Sequence, residues 1–206
     1  MNWLLAAAAP LVVGGVFLVS GWVHPAISAY HLLCAVLIFK RRDRVRSLLR
    51  WETSTARWTI ATTLVIVSFL LCSPLLVNPA PYREVFASTL FPVGPRPALF
   101  ALFAAYTLVI HAPLEEIFWR AVVTDPERAA LPASLVGNAV FFGLLHAVPL
   151  GIVLGPPGIL FSLPAAAAGA VWAFVTIRSR SLWPALVSHW GADAVILGGM
   201  WFFFVR

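Results

Sequence analysis

The feature that most constrains this chain is a series of long apolar runs, separated by charged residues or by clusters of proline and glycine. A helix needs about 20 residues to cross the hydrocarbon core of a bilayer, and these runs approach or exceed that length. The 206-residue chain is 61% hydrophobic and only 11% charged, whereas about a quarter of a soluble domain is charged. We therefore predict an all-α polytopic transmembrane bundle of about seven spans, within bounds of roughly six to eight.

The apolar runs set the expected organisation of the chain. The predicted spans are 3–22, 26–39, 58–77, 98–123, 133–154, 157–177 and 182–204. The first two spans meet at an elbow near His24 and Pro25, although 1–39 could also hold one long tilted span. Segment 78–97, which is rich in proline, is the longest expected loop.

No internal repeat and no separate soluble domain is visible, so we expect a single membrane domain. We divide it into 1–57, which holds the N-terminal spans and a basic interfacial segment, and 58–206, the membrane-embedded core. The residues that carry chemistry lie within 98–204.

Basic residues predict the orientation of these spans. Seven of the fourteen Lys and Arg residues lie between Lys40 and Arg57, directly after an apolar run. Placing 40–57 in the cytoplasm puts eleven of the fourteen on that side, as the positive-inside rule requires. The formal charge of +6 therefore predicts contact with anionic lipid of the bilayer and no nucleic-acid partner. A topology signal is the simpler interpretation, and a specific lipid site is the alternative.

Two adjacent glutamates, Glu115 and Glu116, lie inside the predicted span 98–123. Ionisable groups inside spans are costly and usually mark functional sites. Arg120 follows Glu116 by four residues and shares its helix face, where it could form a bidentate pair with that carboxylate. Neighbouring residues point about 100° apart on a helix, so Glu115 would remain free to face a cavity as a general base. The alternative is that both glutamates are packing or topology residues.

Two later spans each contain a histidine at helical spacing from a second residue. Phe142 precedes His146 by four residues, and His189 precedes Asp193 by four. Alone, His146 could be a core histidine that donates to a carbonyl, and His189 with Asp193 could be a buried hydrogen-bonded pair. Together, three successive spans direct acids or histidines into the membrane interior, and one shared site would satisfy all of them.

Other polar groups in these spans have simpler explanations. His111 lies four residues before Glu115 and could tune that carboxylate, although core packing is the simpler interpretation. Asn138 lies on the span of His146 and is expected to bond across helices. Cys34 and Cys72 lie within apolar runs and do not predict a disulfide.

The three spacings together resemble a known family. Glu115, Glu116 and Arg120 form EExxxR, Phe142 and His146 form FxxxH, and the last pair forms HxxxD. In this order they are similar to the motifs of the CAAX-protease and bacteriocin-processing family of intramembrane glutamic proteases, which includes the CAAX prenyl endopeptidase. The resemblance covers 98–204, about half of the chain, and leaves the N-terminal half without a motif.

The resemblance implies that a peptide bond is hydrolysed inside the membrane by a glutamate-activated water. It implies that Glu115 is the base, that His146 holds the water, and that His189 and the residue four positions later stabilise the oxyanion. Glu116 and Arg120 would be the supporting pair. The last position is often asparagine in this family but is Asp193 here, and aspartate cannot donate a hydrogen bond unless protonated. Asp193 could instead orient His189.

These motifs set expectations for cofactors, partners and location. No cofactor is expected: zinc is a possible alternative, but no HExxH pair is present and the mechanism needs no metal. The expected partner is a membrane-anchored or membrane-proximal protein or peptide substrate, cleaved in a bacterial inner or plasma membrane. Two other functions stay open, a non-catalytic membrane scaffold or bacteriocin immunity factor, and a proton-linked carrier.

Overall fold

Helices account for nearly all of the protein that the computed structural model describes, which is residues 1–72, 83–90, 96–127 and 130–202. The helices are α1 (Trp3–Ser20), α2 (Val23–Lys40), α3 (Arg42–Leu48), α4 (Thr53–Cys72), α5 (Arg83–Leu90), α6 (Pro97–Tyr106), α7 (Ala112–Glu116), α8 (Leu131–Leu154), α9 (Pro156–Phe161), α10 (Leu163–Ser179) and α11 (Trp183–Met200). No strand occurs in these ranges. The predicted all-α polytopic bundle is confirmed.

Six helical stretches in the described part of the chain are long and apolar enough to cross a membrane. They are Trp3–Ser20, Val23–Lys40, Thr53–Leu71, Pro97–Val123, Leu131–Leu154 and Pro156–Ser179. The predicted seventh span corresponds to α11, an 18-residue helix that is not one of the six. His189 and Asp193 lower its hydropathy, and both are buried against other helices. The chain is an integral membrane protein.

The N-terminal region forms two helices, not one long tilted span. Gly21 ends α1 with φ +70°, and its N–H bonds to the Phe17 carbonyl at 2.8 Å. This left-handed conformation favours glycine and reverses the chain between α1 and α2. The break therefore precedes the elbow that we predicted at His24 and Pro25. Proline is tolerated in the first turn of a helix, which is where Pro25 lies in α2.

The long helix Pro97–Val123 lies between α2 and α11. It comprises α6, α7 and two π-helical segments, Thr107–His111 and Ile117–Val123. Its segment Ile117–Val123 also contacts α1, α3 and α10. Elsewhere in the bundle, α8 packs against α1 and α10, and α4 packs against α11. A residue on this helix can thus contact α2 on one side and α11 on the other.

Small residues allow the close approach of α8 and α10. A Cβ atom added to Gly143 would lie 2.8 Å from Cβ of Ala166, and one added to Gly169 would lie 2.9 Å from the carbonyl oxygen of Asn138. The absence of larger side chains at these positions therefore lets the two helices pack tightly. It brings Phe142 on α8 against Trp172 on α10, with ring centroids 5.8 Å apart.

The basic segment 40–57 meets the residues that follow Val123 and those that follow Ser179 at one end of the bundle. Part of the basic segment folds as α3, and Arg44 on it forms an ion pair with Asp125 at 2.8 Å. The hydroxyl of Ser181 donates to the carbonyl of Arg50 at 2.9 Å, and Trp183 Nε1 donates to the carbonyl of Leu49 at 3.0 Å. Residues from three separate connections between helices therefore lie together on one side of the bundle.

The predicted loop 78–97 contains the helix α5, while 78–82 and 91–95 lie outside the described residues. The end of the predicted third span, 73–77, also lies outside them, as do Arg128 and Arg206 of the charge count.

Candidate active site

The two adjacent glutamates lie in α7, between the two π-helical segments. Pro113 in this helix has no N–H, so it cannot form the usual bond to a carbonyl four residues earlier. The wider turn at Thr107–His111 directly precedes it and accommodates that loss. Both carboxylates are buried, with 1% exposure for Glu115 and 0% for Glu116. Wide turns of this kind are frequent at functional sites.

Glu116 is fully engaged by charged or polar donors. Its Oε2 accepts from Nε of Arg120 at 3.0 Å, and its Oε1 accepts from Nδ1 of His189 at 2.9 Å. The ion pair expected from the EExxxR spacing is present. It is not bidentate, however, because Nη1 of Arg120 donates to Oδ1 of Asn138 on α8 instead.

Asn138 joins this network to the neighbouring backbone. Its side-chain amide donates to Oγ1 of Thr124 at 2.9 Å and to the carbonyl of Ser134 at 2.8 Å. The cross-helix role predicted for Asn138 is therefore present in the structure. Glu116, Arg120 and Asn138 form a buried network in which each member holds the next.

Aromatic rings enclose the same network. The guanidinium carbon of Arg120 lies 5.4 Å from the Phe142 ring centroid and 5.7 Å from that of Trp172. Trp172 in turn stacks on His189, with centroids 4.3 Å apart and planes inclined by 16°. Phe142 therefore belongs to the wall around the charged groups, and the rings shield the charges from lipid.

Glu115, the other glutamate of the adjacent pair, has fewer contacts. Within the described residues, Oε2 of Glu115 has no hydrogen-bond partner. Its nearest basic group is Nε2 of His111, at 3.7 Å. The carboxylate also interacts electrostatically with His146 and His189, and the Tyr30 hydroxyl of α2 lies beside it. Glu115 thus remains available to a further ligand such as a water.

His146 lies on α8 close to this carboxylate. Its Nδ1 donates to the carbonyl of Phe142 at 2.9 Å, because a carbonyl oxygen can only accept. This bond is the one expected if His146 is only a core histidine. It also fixes the plane of the ring, and Nε2 has no hydrogen bond within the described residues. The side chain is half-buried. A neutral His146 therefore presents Nε2 as an acceptor.

Asp193 lies near His189 but does not hydrogen-bond to it. Its Oδ1 is 3.7 Å from Nε2 of His189, and in the described part of the chain its buried Oδ2 has no partner. The group that orients His189 is Glu116, through Nδ1, so the local His189–Asp193 hydrogen bond that we considered is absent. The spacing put both residues on one face, but helix packing brought a stronger acceptor to the ring.

Sequence reasoning missed a second set of polar contacts, on the α2 side. Nδ1 of His111 lies 2.9 Å from Nε2 of His31, and Nδ1 of His31 hydrogen-bonds to the Tyr106 hydroxyl. His31 is buried in α2, within the half of the chain that carries no motif. His111 is therefore not a packing residue alone. The four-residue spacing to Glu115 was the one available signal, and nothing in the sequence pointed to His31.

The structure brings all the predicted side chains into one region, formed by α7, α8 and α11. A buried carboxylate without a strong partner, a histidine with a free ring nitrogen and a histidine held by a second acid can activate a water and receive developing negative charge. No group of three His, Cys, Asp or Glu side chains among the described residues has an arrangement suited to a metal ion.

The sequence comparisons give one match. Residues 97–195 match the family described as "Rce1-like: Type II CAAX prenyl endopeptidase Rce1-like". No curated protein and no solved structure matches the chain. The matched segment is just under half of the chain and contains all three motifs, and α1 to α5 precede it.

Proposed function

We propose that this protein is an intramembrane endopeptidase in which Glu115 activates a water, because residues 97–195 match the Rce1-like family of CAAX prenyl endopeptidases. The match supports a peptidase, and the membrane-spanning helices around the motifs support an intramembrane setting. The proposed substrate is a membrane-anchored or membrane-proximal protein or peptide, with prenylated CAAX sequences as one possibility.

The observation that carries the proposal is the unequal state of the two adjacent carboxylates. Glu116 has partners on both oxygens, whereas Oε2 of the buried Glu115 has none among the described residues. A general base must be able to reach a water and accept its proton. Glu115 meets this requirement, and Glu116 is committed to Arg120 and His189.

In the proposed reaction, Glu115 takes a proton from water while the water oxygen attacks the carbonyl carbon of the scissile bond. His146 accepts the second hydrogen of that water through Nε2, since its Nδ1 is bonded to the Phe142 carbonyl. The tetrahedral intermediate then collapses, and protonated Glu115 delivers its proton to the departing amide nitrogen. The products are a carboxyl terminus and an amine, and no cofactor takes part.

His189 is the proposed donor to the oxyanion. Its Nδ1–H is held by Glu116, so its Nε2 can donate only when the ring is protonated. The nearby carboxylates of Glu116 and Asp193 favour that charged form. Asp193 is therefore proposed to support the charge on His189 and to leave the donation itself to the ring, a role that aspartate can fill where the family often has asparagine.

The test uses purified protein in liposomes and two internally quenched probes. One is a prenylated CAAX peptide, and the other carries an unprenylated cleavable sequence on a hydrophobic membrane anchor. We expect Glu115→Gln to reduce cleavage by about a hundredfold or more, since general-base catalysis contributes about 10²–10⁴ in rate. Glu52→Gln, the same change at an exposed glutamate, is the matched control and should retain full activity.

Two results would overturn the proposal. Full cleavage by Glu115→Gln would remove the glutamate mechanism, and absence of cleavage of both probes by the unmodified protein would remove the peptidase. In the second case, proton flux into the same liposomes would favour the carrier, and its absence would favour the scaffold or immunity factor.

A further inference from the structure

We propose that Tyr106, His31 and His111 form a hydrogen-bonded chain that positions Glu115 and stabilises its carboxylate for the reaction. This inference rests on the proposed function, because it assigns these residues to the base of that reaction. His31 belongs to α2, which lies outside the matched segment 97–195. The motif-free half of the protein would then contribute directly to the working of the site.

The hydrogen-bonded contacts run from the Tyr106 hydroxyl through His31 to His111, and the Glu115 carboxylate lies next to the last ring. Tyr106 hydrogen-bonds to Nδ1 of His31, and Nε2 of His31 lies 2.9 Å from Nδ1 of His111. Nε2 of His111 lies 3.7 Å from Oε2 of Glu115. The last distance is longer than a hydrogen bond, but catalytic contacts in free enzymes are often long and tighten when substrate binds.

One arrangement of hydrogens satisfies the whole chain when both rings are neutral and the Tyr106 hydroxyl is the donor. Each neutral imidazole has one donor nitrogen and one acceptor nitrogen. If Tyr106 donates to Nδ1 of His31, then Nε2 of His31 carries the hydrogen and donates to Nδ1 of His111. Nε2 of His111 must then carry its own hydrogen, which faces Glu115. All donors in this arrangement point toward the carboxylate.

Neutral hydrogen-bond donors beside Glu115 suit its role as a base better than a cation in the same place would. Arg120 neutralises Glu116 at 3.0 Å and would make any acid beside it a poor proton acceptor. Neutral donors stabilise a carboxylate in a low-dielectric site while leaving it basic, and successive hydrogen bonds strengthen one another. Other ionisable groups that interact with Glu115 are Tyr30, Cys34, Glu116, His146, His189 and Asp193.

The alternative is that the two histidines and Tyr106 only pack α2 against the long helix. Ring contacts of 5.1 Å between His31 and His111 and 5.5 Å between His31 and Tyr106 would serve that purpose as well. Packing requires volume, whereas the proposed chain requires donors and acceptors in a fixed order. The experiment is designed around this difference.

The first measurement detects the positions of the hydrogens along the hydrogen-bonded chain and needs no substrate. The protein has five histidines, so nitrogen-15 labelling of histidine gives a spectrum that single substitutions can assign. We expect His31 and His111 to carry their hydrogens on Nε2, and Tyr106→Phe to shift the ring signals of His111, which Tyr106 reaches only through His31. Hydrogens on Nδ1, or His111 signals unaffected by Tyr106→Phe, would overturn the chain.

The second measurement is kinetic, with the probe that the unmodified protein cleaves. We expect His31→Leu to reduce kcat by about tenfold with KM unchanged, as loss of a supporting hydrogen-bond partner typically does. His31→Gln, which keeps a donor and an acceptor, should recover part of kcat. Tyr106→Phe should add nothing in the His31→Leu background, because both act through the same chain.

His24→Ala is the matched control, since His24 is an exposed histidine on the same helix. Thermal unfolding of each variant in mild detergent checks that folding is retained. If Glu115→Gln is inactive while His31→Leu and His31→Gln both keep full kcat, the chain is wrong and the proposed function stands. Equal losses of kcat in His31→Leu and His31→Gln would show that these residues act only through packing. If no probe is cleaved, the proposed function fails and the role assigned here fails with it.

Discussion

Two faces of the long helix Pro97–Val123 carry the same residue type in opposite environments. On the face toward α8 and α11, Glu116 is bound by Arg120 and His189, and aromatic rings enclose the group. Glu115 has no such pairing: the Nε2 atom of His111 lies 3.7 Å from its Oε2, which has no hydrogen-bond partner among the described residues. Neighbouring glutamates of one helix therefore differ in their contacts, which fits the structural role proposed for Glu116 and the reactive role proposed for Glu115.

The difference teaches how a membrane protein can keep a reactive acid. An ionised carboxylate within the bilayer needs compensation, and a direct cation gives it at the expense of basicity. Here Arg120 pairs with Glu116. Glu115 lies beside His111, a group that can donate or accept a hydrogen bond. Changes on the first face should mainly alter stability, and changes on the second should mainly alter activity.

The largest expected effect on stability comes from removing the cation. Arg120→Met should lower the free energy of unfolding by about 3–5 kcal/mol, because it leaves the buried charge of Glu116 without its partner. Unfolding in detergent, followed by circular dichroism, measures the loss. Arg57→Met, at an exposed arginine, is the control and should have little effect.

Adding Glu116→Gln to the Arg120→Met variant should restore part of this stability, since the unpaired charge is then gone. A double variant that is less stable than Arg120→Met alone would contradict the account of Glu116 as a charge compensated by Arg120.

A smaller loss is expected at the amide that joins this face to α8. Asn138→Ala should cost about 1–3 kcal/mol, because Nη1 of Arg120 and the hydroxyl of Thr124 both lose a buried partner. Ser134→Ala is a suitable comparison, since the buried Oγ of Ser134 has no hydrogen-bond partner within the described residues. Equal losses in the two variants would show that the Asn138 network contributes nothing beyond packing.

The smallest effect, and the sharpest contrast, concerns the reactive acid itself. Glu115→Gln should leave the free energy of unfolding unchanged or raise it by about 0.5–2 kcal/mol, as substitutions at strained functional groups often do. Glu116→Gln should instead lower it, because the neutral amide weakens the contacts to Arg120 and His189. Thermal unfolding of the two isosteric variants side by side makes the comparison. Equal destabilisation would erase the distinction between the two faces.

Much of the architecture was predictable because apolar run length reports directly on the membrane. Six of the predicted spans correspond to helices that can cross a bilayer. The exception, α11, has a lower hydropathy because it contains His189 and Asp193, and it is held by contacts with α4 and the long helix. The break between α1 and α2 was misplaced by a few residues, since Gly21 adopts the left-handed conformation and Pro25 fits within the first turn of α2.

The candidate site was predictable only in part. The EExxxR spacing correctly indicated the pairing of Glu116 with Arg120, and it left Glu115 as the freer acid. Spacing also suggested a hydrogen bond between His189 and Asp193, and there the structure differs, because Glu116 supplies the acceptor from another helix. The catalytic roles themselves remain proposals.

The sequence alone identified this protein as a membrane helical bundle that matches a peptidase family. It also predicted that Glu116 and Arg120 pair across one turn of a helix. Those properties depend on composition and on residues three or four positions apart, which helical geometry brings together in any context. The tertiary structure alone decided that His189 turns to Glu116 and that His31 from a motif-free helix reaches the neighbourhood of Glu115. Such contacts join residues 73 and 80 positions apart, and only the packing of one helix beside another determines them.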